Sequence, residues 1–261
     1  MGLALLNGIK NMSGIAIYGY DVDLDKKIVL EENGGVFLEN ETEIAERCGY
    51  ILLAVKPQLV GGVLDKIAPV LKSEERKSVT VISICAGISA DFIRSRTHES
   101  LKVICVMPNT PMMLGEGASA VSTDGLTSKE ELDFACWLIG SCSPVIEIVP
   151  PDKMNEIICL NGSSPAFIYL FAKQFIDYAA GQGIDEKSAM RLFSQSLIGA
   201  GKMLIDNAEM SIDGLINQVS SKGGTTVAGL ERLRETGFVG SVKSACEACT
   251  KRAYELGSKS V

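Results

Sequence analysis

The first half of the chain alternates continuous apolar runs with segments of helical spacing. The longest runs predict strands at Ile15–Tyr20, Tyr50–Val55, Val79–Ile84 and Leu101–Val106. Strands that are apolar throughout are typical of a parallel sheet that helices cover on both faces. The alternation therefore predicts an α/β domain, and in such domains ligands bind beyond the carboxyl ends of the strands.

Shorter elements complete this half, and the strand pattern then stops. We predict further strands at Gly34–Phe37, Gly117–Val121 and Val145–Val149, and helices at Leu3–Ile9, Leu24–Asn33, Glu41–Cys48, Val60–Leu71, Ser89–Arg96 and Ser128–Gly140. From about Pro151 onward every segment has helical spacing: Asp152–Leu160, Ser164–Ala180, Asp185–Asn207, Ser211–Val219, Thr225–Glu235 and Ser241–Gly257. The sequence therefore predicts an α/β domain at 1–150 and an all-helical domain at 151–261.

Unusual residues follow three of the predicted strands. They are Lys56-Pro57, Ala86-Gly87 and Asn109-Thr110-Pro111. Because the carboxyl ends of parallel strands meet at one edge of a sheet, we expect these residues to line one ligand cleft.

A second candidate site is the polar stretch Gln218–Leu230, between two predicted helices. Gly223 and Gly224 permit backbone conformations with positive φ, and Thr225 and Thr226 follow just before helical spacing resumes. The free N–H groups at a helix start would suit a carboxylate or phosphate. An ordinary turn capped by threonine explains the same residues equally well.

The composition excludes several classes of function. The chain has 261 residues, of which 46% are hydrophobic and 22% charged, so it can fill a core and is not disordered. Its net charge of −7 disfavours nucleic acid and anionic membranes as partners. No apolar run reaches the roughly 18 residues of a membrane span.

The eight cysteines lie mostly in apolar runs, with no recognisable secretory signal before them, so we expect reduced thiols in a cytoplasmic protein. Cys246 and Cys249 have the spacing of a metal-binding pair. They lack a second pair or a nearby histidine, and we predict no metal site. The single histidine, His98, lies in a charged stretch and is expected at the surface, which weakens any mechanism that needs a histidine acid or base.

Five short stretches, taken in order, resemble the pyrroline-5-carboxylate reductase family, whose members make proline. They are Leu53–Gln58, Ala86–Ile88, Met107–Pro111, Asn161–Ala166 and Ser221–Thr226. The last two are the family's most specific signatures, and the match extends from Met1 to the final helix. The resemblance implies a Rossmann-like dinucleotide-binding domain at 1–150 and an all-α dimerisation and substrate domain at 151–261.

The resemblance also implies a chemistry and a set of partners. The expected reaction is hydride transfer from NADPH or NADH to the cyclic imine 1-pyrroline-5-carboxylate, giving L-proline. The expected assembly is a homodimer with intertwined helices, in some members a larger ring of dimers, with the substrate at the dimer interface. A protonated imine is already a good electrophile, so positioning of the two rings matters more than a strong acid.

Site residues carried over from the family fall into two groups. The implied cofactor contacts are Asn40, Ala54, Val55, Lys56, Pro57, Cys85, Ala86, Gly87 and Asn109. The implied substrate contacts are Val219, Ser221, Gly224, Thr225 and Thr226, with the Thr226 hydroxyl hydrogen-bonded to the ring nitrogen as the catalytic group.

The chain departs from the family pattern in three places. The family begins with a strand and a glycine-rich turn, of which only Met1-Gly2 matches, so we expect the natural protein to start roughly ten residues earlier. Asp21 and Asp23 follow the second family strand, where an acid would suit the ribose of NADH, or they cap a helix. Asn161 and Lys222 stand where many members have serine and proline.

Two alternatives remain open from the sequence. One is a related two-domain hydroxy-acid dehydrogenase, although Lys173-Gln174 lacks the lysine arrangement that such enzymes use. The other is a non-catalytic homologue that keeps the helical interface and acts only as an oligomerisation partner. Binding of NADH or NADPH separates these classes.

Overall fold

The computed structural model describes residues 1–259, which form two compact units. The first comprises Met1–Pro165 together with the chain from Ala248 onward, and the second comprises Ala166–Glu247. The change between units falls at Pro165, whereas the boundary expected near Pro150-Pro151 stays a prediction. None of the helices in residues 1–259 combines the length and the apolar character needed to cross a membrane.

In residues 1–165, seven strands form two sheets. Strands β1 (Tyr18–Gly19) and β2 (Val36–Phe37) pair in parallel as a small sheet of their own. The second sheet has five strands in chain order: β3 (Tyr50–Leu53), β4 (Thr80–Ser83), β5 (Lys102–Met107), β6 (Ala118–Thr123) and β7 (Val145–Ile148). The prediction of a buried strand over Ile15–Tyr20 was wrong in length and burial. These residues are at most half-buried, and only Tyr18 and Gly19 form a strand.

The larger sheet is parallel except at one pair. β3, β4 and β5 run parallel to one another, whereas β6 is antiparallel to β5. A parallel connection needs a crossover of a dozen or more residues. The segment between β5 and β6 holds only a 3-10 turn, Thr110–Leu114, so the chain reverses direction there. The predicted parallel sheet is confirmed for β3, β4 and β5, and the sequence did not predict the direction of β6.

Six helices belong to the first half of the chain: α1 (Gly2–Ile9), α2 (Asp25–Glu32), α3 (Glu41–Arg47), α4 (Val60–Leu71), α5 (Ala90–Arg96) and α6 (Lys129–Gly140). Five follow: α7 (Ser164–Gly181), α8 (Glu186–Asp206), α9 (Ile212–Gln218), α10 (Thr225–Glu235) and α11 (Phe238–Lys259). The predicted helix Asp152–Leu160 is instead two 3-10 turns, Pro151–Lys153 and Ile157–Cys159. So short a segment is marginal as an α-helix without strong packing.

The five-stranded sheet separates two apolar clusters. Val81 and Val103 point to the face that α3, α4 and α5 cover, where Leu64 and Ile93 are fully buried. Their neighbours along the strands point to the opposite face, which α1 and α6 cover. This alternation explains why the strands are apolar at every position.

One polar network ties α6 to the start of β4 and β5. Ser128 and Glu131 form a capping box at the start of α6. The Glu131 carboxylate also accepts hydrogen bonds from Lys102 Nζ at 2.5 Å and Thr80 Oγ1 at 3.2 Å. Although burial opposes it, these partners hold the pKa of Glu131 below its usual value.

The second unit is helical and exposes much apolar surface. Its aromatic centre contains Phe175 stacked on Phe193, with ring centroids 4.5 Å apart, and Phe171 packs on both. Large apolar side chains on α7 and α8 lie exposed in the single chain: Phe167, Ile168, Leu170, Leu192, Ile198, Leu204 and Ile205. Exposed apolar area on this scale is typical of a surface that another chain covers.

Candidate functional site

The ends of β3, β4 and β5 form one edge of the sheet. Because these strands are parallel neighbours, the residues that follow them come together: Ala54–Pro57, Cys85–Gly87 and Asn109. Ala54, Val55 and Lys56 are exposed although they directly follow the buried Leu53. The structure therefore brings eight of the nine predicted cofactor residues to one end of the sheet, where Ala54, Val55 and Lys56 are exposed.

The Cys85 thiol joins two of these strand ends. Cys85 Sγ donates to the carbonyl oxygens of Leu53 at 3.3 Å and Val55 at 3.2 Å. Burial raises the pKa of the thiol, so it stays protonated and unreactive. Cys85 thus holds the chain just before Lys56-Pro57.

Asn109 shapes the turn that follows β5. Its Oδ1 accepts from the backbone N–H of Ala118 at 2.9 Å, which anchors the turn to the start of β6. The residue that sequence reasoning missed is Asn161, whose Nδ2 donates to Met107 O at 2.6 Å and Ala118 O at 3.2 Å. No local pattern marks this contact, because its partners lie 54 and 43 positions away in the chain.

Gly87 adopts φ +77° and lies against the last helix. A Cβ at Gly87 would lie 3.2 Å from Ala253 O, and a Cβ at Gly257 would lie 2.8 Å from Gly87 O. This close approach explains the glycines at both positions. Ala253 and Gly257 were also missed from the sequence, since the contact joins distant parts of the chain.

Asn40, the ninth predicted cofactor residue, caps α3. Its Oδ1 accepts from the backbone N–H of Glu43 at 3.0 Å, and Nδ2 lies 3.4 Å from Glu43 Oε1. The side-chain oxygen is therefore committed to the helix start. A contact between Asn40 and a cofactor stays a prediction.

Asp21 and Asp23 hold the turn before α2. Asp21 Oδ1 accepts from the N–H of Asp23 at 3.0 Å, and Asp23 Oδ1 accepts from the N–H of Asp25 at 3.1 Å. Lys26 and the Asp25 N–H lower the pKa of Asp23. These contacts show that the two aspartates hold a turn. The capping interpretation was wrong, because the N-cap of α2 is Leu24 and no side chain caps the helix.

The start of α1 adds a feature that suits a phosphate. No side chain caps this helix, and a Cβ at Gly2 would lie 3.4 Å from Ala54 Cβ. The positive end of the helix therefore lies beside the end of β3. This is the position in which α/β domains place a bound pyrophosphate.

The loop in the second unit runs from Val219 to Gly224, between α9 and α10. Gly223 has φ +72°, and Gly224 is the N-cap of α10 in extended conformation. Thr225 and Thr226 are the first two residues of the helix, and both are exposed. The threonine-capped alternative was wrong, because the capping residue is glycine and no side chain caps the helix.

Ser221 is packed closely under this helix start. The N–H of Gly224 donates to Ser221 O at 2.9 Å, and a Cβ at Gly224 would lie only 2.6 Å from Ser221 Oγ. Val219, just after α9, is 68% exposed. The five predicted substrate residues therefore form one short loop whose first helical turn presents free N–H groups and hydroxyls.

Two other predictions bear on the chemistry. His98 is half-buried rather than exposed, burial lowers its pKa, and it precedes the start of β5 at the edge opposite the strand ends. Lys173 pairs with Asp177 on α7, so it is engaged on the helix surface. Neither residue supplies an acid or base to the strand-end cleft.

Comparison with known proteins gives a consistent family. Residues 151–256 match the family model described as pyrroline-5-carboxylate reductase dimerisation. The pyrroline-5-carboxylate reductase of Escherichia coli is 30% identical over 261 residues, which cover 98% of this chain and 94% of that protein. The enzyme of Haemophilus influenzae is 33% identical over 218 residues, covering 84% and 79%.

Solved structures agree over the whole chain. A pyrroline-5-carboxylate reductase from Coxiella burnetii has a TM-score of 0.87 at 25% identity, covering 98% of this chain and 94% of that one. The Plasmodium falciparum pyrroline carboxylate reductase with NADP bound has a TM-score of 0.86 at 27% identity, with the same coverages. The predicted fold class, a Rossmann-like domain followed by an all-α dimerisation domain, is confirmed.

Proposed function

The chain belongs to the pyrroline-5-carboxylate reductase family, and from that premise we propose that it reduces 1-pyrroline-5-carboxylate to L-proline with NADPH or NADH. The structural observation that carries the proposal is the start of α10. A glycine N-cap leaves its first N–H groups without a side-chain partner, and two exposed threonines follow. This arrangement suits a small carboxylate that also carries a ring nitrogen.

The strand-end edge fits a dinucleotide. The exposed residues Ala54–Lys56, with the start of α1 beside Ala54, leave room for a ligand to approach the main chain. The residues that would hold it are Asn40, Ala54, Val55, Lys56, Pro57, Cys85, Ala86, Gly87 and Asn109. When bound, the reduced nicotinamide supplies a hydride. Titration of the protein with each cofactor measures the preference between NADPH and NADH.

The protein's own residues bind and orient the imine. The N–H groups of residues 221–223 and of Thr225 seat the carboxylate. Val219 and Gly224, whose own N–H donates to Ser221 O, shape the loop around it. The Thr226 hydroxyl accepts the N–H of the protonated ring nitrogen and fixes the ring's orientation. No residue has to deliver a proton to the ring nitrogen, because it is protonated before reduction and keeps that proton in proline.

We propose that the active unit is a homodimer in which residues 151–261 intertwine and each loop completes its partner's site, with a ring of dimers as a larger assembly. The exposed apolar residues of α7 and α8 and the dimerisation family match support an interface on this unit. The buried thiols of Cys85 and Cys142, which form no disulfide, support a reducing, cytoplasmic setting.

Thr226→Val tests the proposal. Losing a hydrogen bond to a charged group costs about 1.5–3 kcal/mol, so kcat/KM for the imine should fall by roughly 10- to 150-fold. Thr226→Ser keeps the hydroxyl and should retain most of the activity. The assay is imine-dependent oxidation of NADPH and NADH by the purified chain, with the melting temperature as a folding check.

Two outcomes would contradict the proposal. An unchanged kcat/KM for Thr226→Val removes Thr226 from the mechanism. A wild-type chain that binds neither cofactor in a fluorescence titration favours the non-catalytic homologue.

A further inference from the structure

The side chain of Asn161 joins the two ends of the turn after β5. Asn161 lies between the 3-10 turn Ile157–Cys159 and α7, and its Nδ2 donates to Met107 O at 2.6 Å and to Ala118 O at 3.2 Å. Met107 is the last residue of β5, and Ala118 is the first residue of β6. One amide group therefore spans the opening of the turn.

Ala118 is held from both sides by asparagine side chains. Its carbonyl oxygen accepts from Asn161, and its N–H donates to Asn109 Oδ1. Asn109 belongs to the turn itself, whereas Asn161 comes from the segment that precedes α7. The turn thus depends on a residue outside the α/β sequence pattern for its attachment.

Two backbone hydrogen bonds hold the loop around Asn161. The N–H of Asn161 donates to Ile157 O at 3.1 Å, and the N–H of Ser163 donates to Ile158 O at 2.8 Å. A Cβ at Gly162 would lie 3.5 Å from Met107 Sδ, at van der Waals distance, so the loop also lies next to the end of β5. The Asn161 amide is therefore delivered to the two carbonyls by a constrained segment.

The orientation of the amide is fixed by chemistry. Turning it over would place Oδ1 against two carbonyl oxygens, an arrangement with no donor. In the observed orientation Oδ1 is buried without a hydrogen-bond partner among the described residues, which is unfavourable by itself. The two donor bonds are the part of the side chain that stabilises the turn.

We propose that Asn161 is a positioning residue: through Met107 and Ala118 its side-chain amide fixes the Met107–Pro111 turn at the edge of the cofactor cleft. The proposal rests on the proposed function, in which Asn109 of that turn contacts the cofactor. Asn161 acts on the affinity for the cofactor through the turn, without touching the cofactor.

The test compares variants that lose the donors to different degrees. Asn161→Ala removes both bonds and should weaken NADPH binding and raise its KM by about ten-fold, while kcat at saturating cofactor changes little. Asn161→Ser keeps one donor and should be intermediate. Asn161→Asp is isosteric but turns a carboxylate toward two carbonyl oxygens, and should bind NADPH at least as weakly as the alanine variant.

Asn33→Ala is the matched control. The Asn33 Nδ2 also donates to a backbone carbonyl, that of Val29 at 2.7 Å, and is likewise part-buried, but it lies after α2 and before β2, away from the strand ends. The Asn33→Ala substitution should lower the melting temperature without changing the NADPH dissociation constant. Hydrogen exchange of residues 107–118 should speed up in the Asn161 variants and stay unchanged in Asn33→Ala.

A loss of NADPH affinity confined to the Asn161 variants distinguishes the positioning role from a general loss of stability. Unchanged NADPH affinity in Asn161→Ala, or an equal loss in Asn33→Ala, overturns the proposal. Wild-type protein that binds neither NADPH nor NADH defeats the proposed function instead. In that case hydrogen exchange of residues 107–118 decides the positioning role. Exchange in Asn161→Ala that is as slow as in wild type would overturn the role, and faster exchange would support it.

Discussion

The substitution Gly224→Ala tests whether the loop before α10 binds the substrate. Gly224 has φ −80°, so alanine is allowed there by its backbone conformation. The added Cβ would lie 2.6 Å from Ser221 Oγ and 2.9 Å from Ser221 O. The hydroxyl can rotate away, but the carbonyl oxygen belongs to the backbone and accepts from the Gly224 N–H. The loop itself must therefore move.

The size of the effect follows from that contact. An ordinary contact begins near 3.4 Å, so the Ser221 carbonyl has to shift by about half an ångström from 2.9 Å. Overpacking of this kind costs about 1–3 kcal/mol. Because the loop is exposed, we expect the cost to be expressed as displacement of the substrate seat. At about 1.36 kcal/mol per tenfold, kcat/KM for the imine should fall by roughly 5- to 150-fold.

The assay is steady-state oxidation of NADPH at varied imine concentration, with NADPH affinity measured separately. Gly229→Ala is the control in the same helix, since nothing lies within 4 Å of a Cβ there. It should leave the kinetics unchanged and raise stability by about 0.5–1 kcal/mol. A Gly224→Ala enzyme with wild-type kcat/KM would refute the assignment of this loop to substrate binding.

Two further predictions concern stability. Glu131→Gln should lower the free energy of unfolding by about 1–3 kcal/mol at neutral pH, because Glu131 accepts a charge-assisted bond from Lys102. The pKa of Glu131 is lower in the fold than its ordinary value of 4.5, so the carboxylate contributes fully to stability above pH 4.5 and loses that contribution as the pH falls through the folded pKa. Urea titrations should therefore show a difference in unfolding free energy between wild type and Glu131→Gln at neutral pH that disappears in acid. A difference that stays constant with pH would contradict this explanation. Gly257→Ala places a Cβ 2.8 Å from Gly87 O and should lower the melting temperature and weaken NADPH binding, whereas Gly240→Ala, with open space around it, should do neither.

The sequence predicted most elements of the fold because their signals are local. The apolar runs located β3, β4 and β5 to within a residue or two, and glycine and proline marked their ends. The direction of β6 was not predictable from its own residues, because it depends on the length of the connection before it. The helix expected over Asp152–Leu160 was wrong for a related reason, since a short segment takes its conformation from its surroundings.

The candidate site was predictable only in part. Motif residues such as Lys56 and Gly87 were located because their type is unusual at a strand end. Asn161 stands out in the sequence as a departure from the family pattern, but its contact with two backbone carbonyls far away in the chain does not. Gly257 does not stand out at all, because a glycine in a long helix has no local signature of the backbone it touches.

Whether the start of α10 has free N–H groups depends on which of two neighbouring residues is the N-cap. If Thr225 were the N-cap, its hydroxyl would satisfy a first-turn N–H and the loop would be a closed turn. With Gly224 as the N-cap, that N–H stays available and the threonines move into the first turn, where their hydroxyls are exposed. Glycine costs only a few tenths of a kcal/mol relative to a capping side chain. The helix thus gives up little stability to keep the proposed anion-binding site open, and Gly224→Ala tests that site directly.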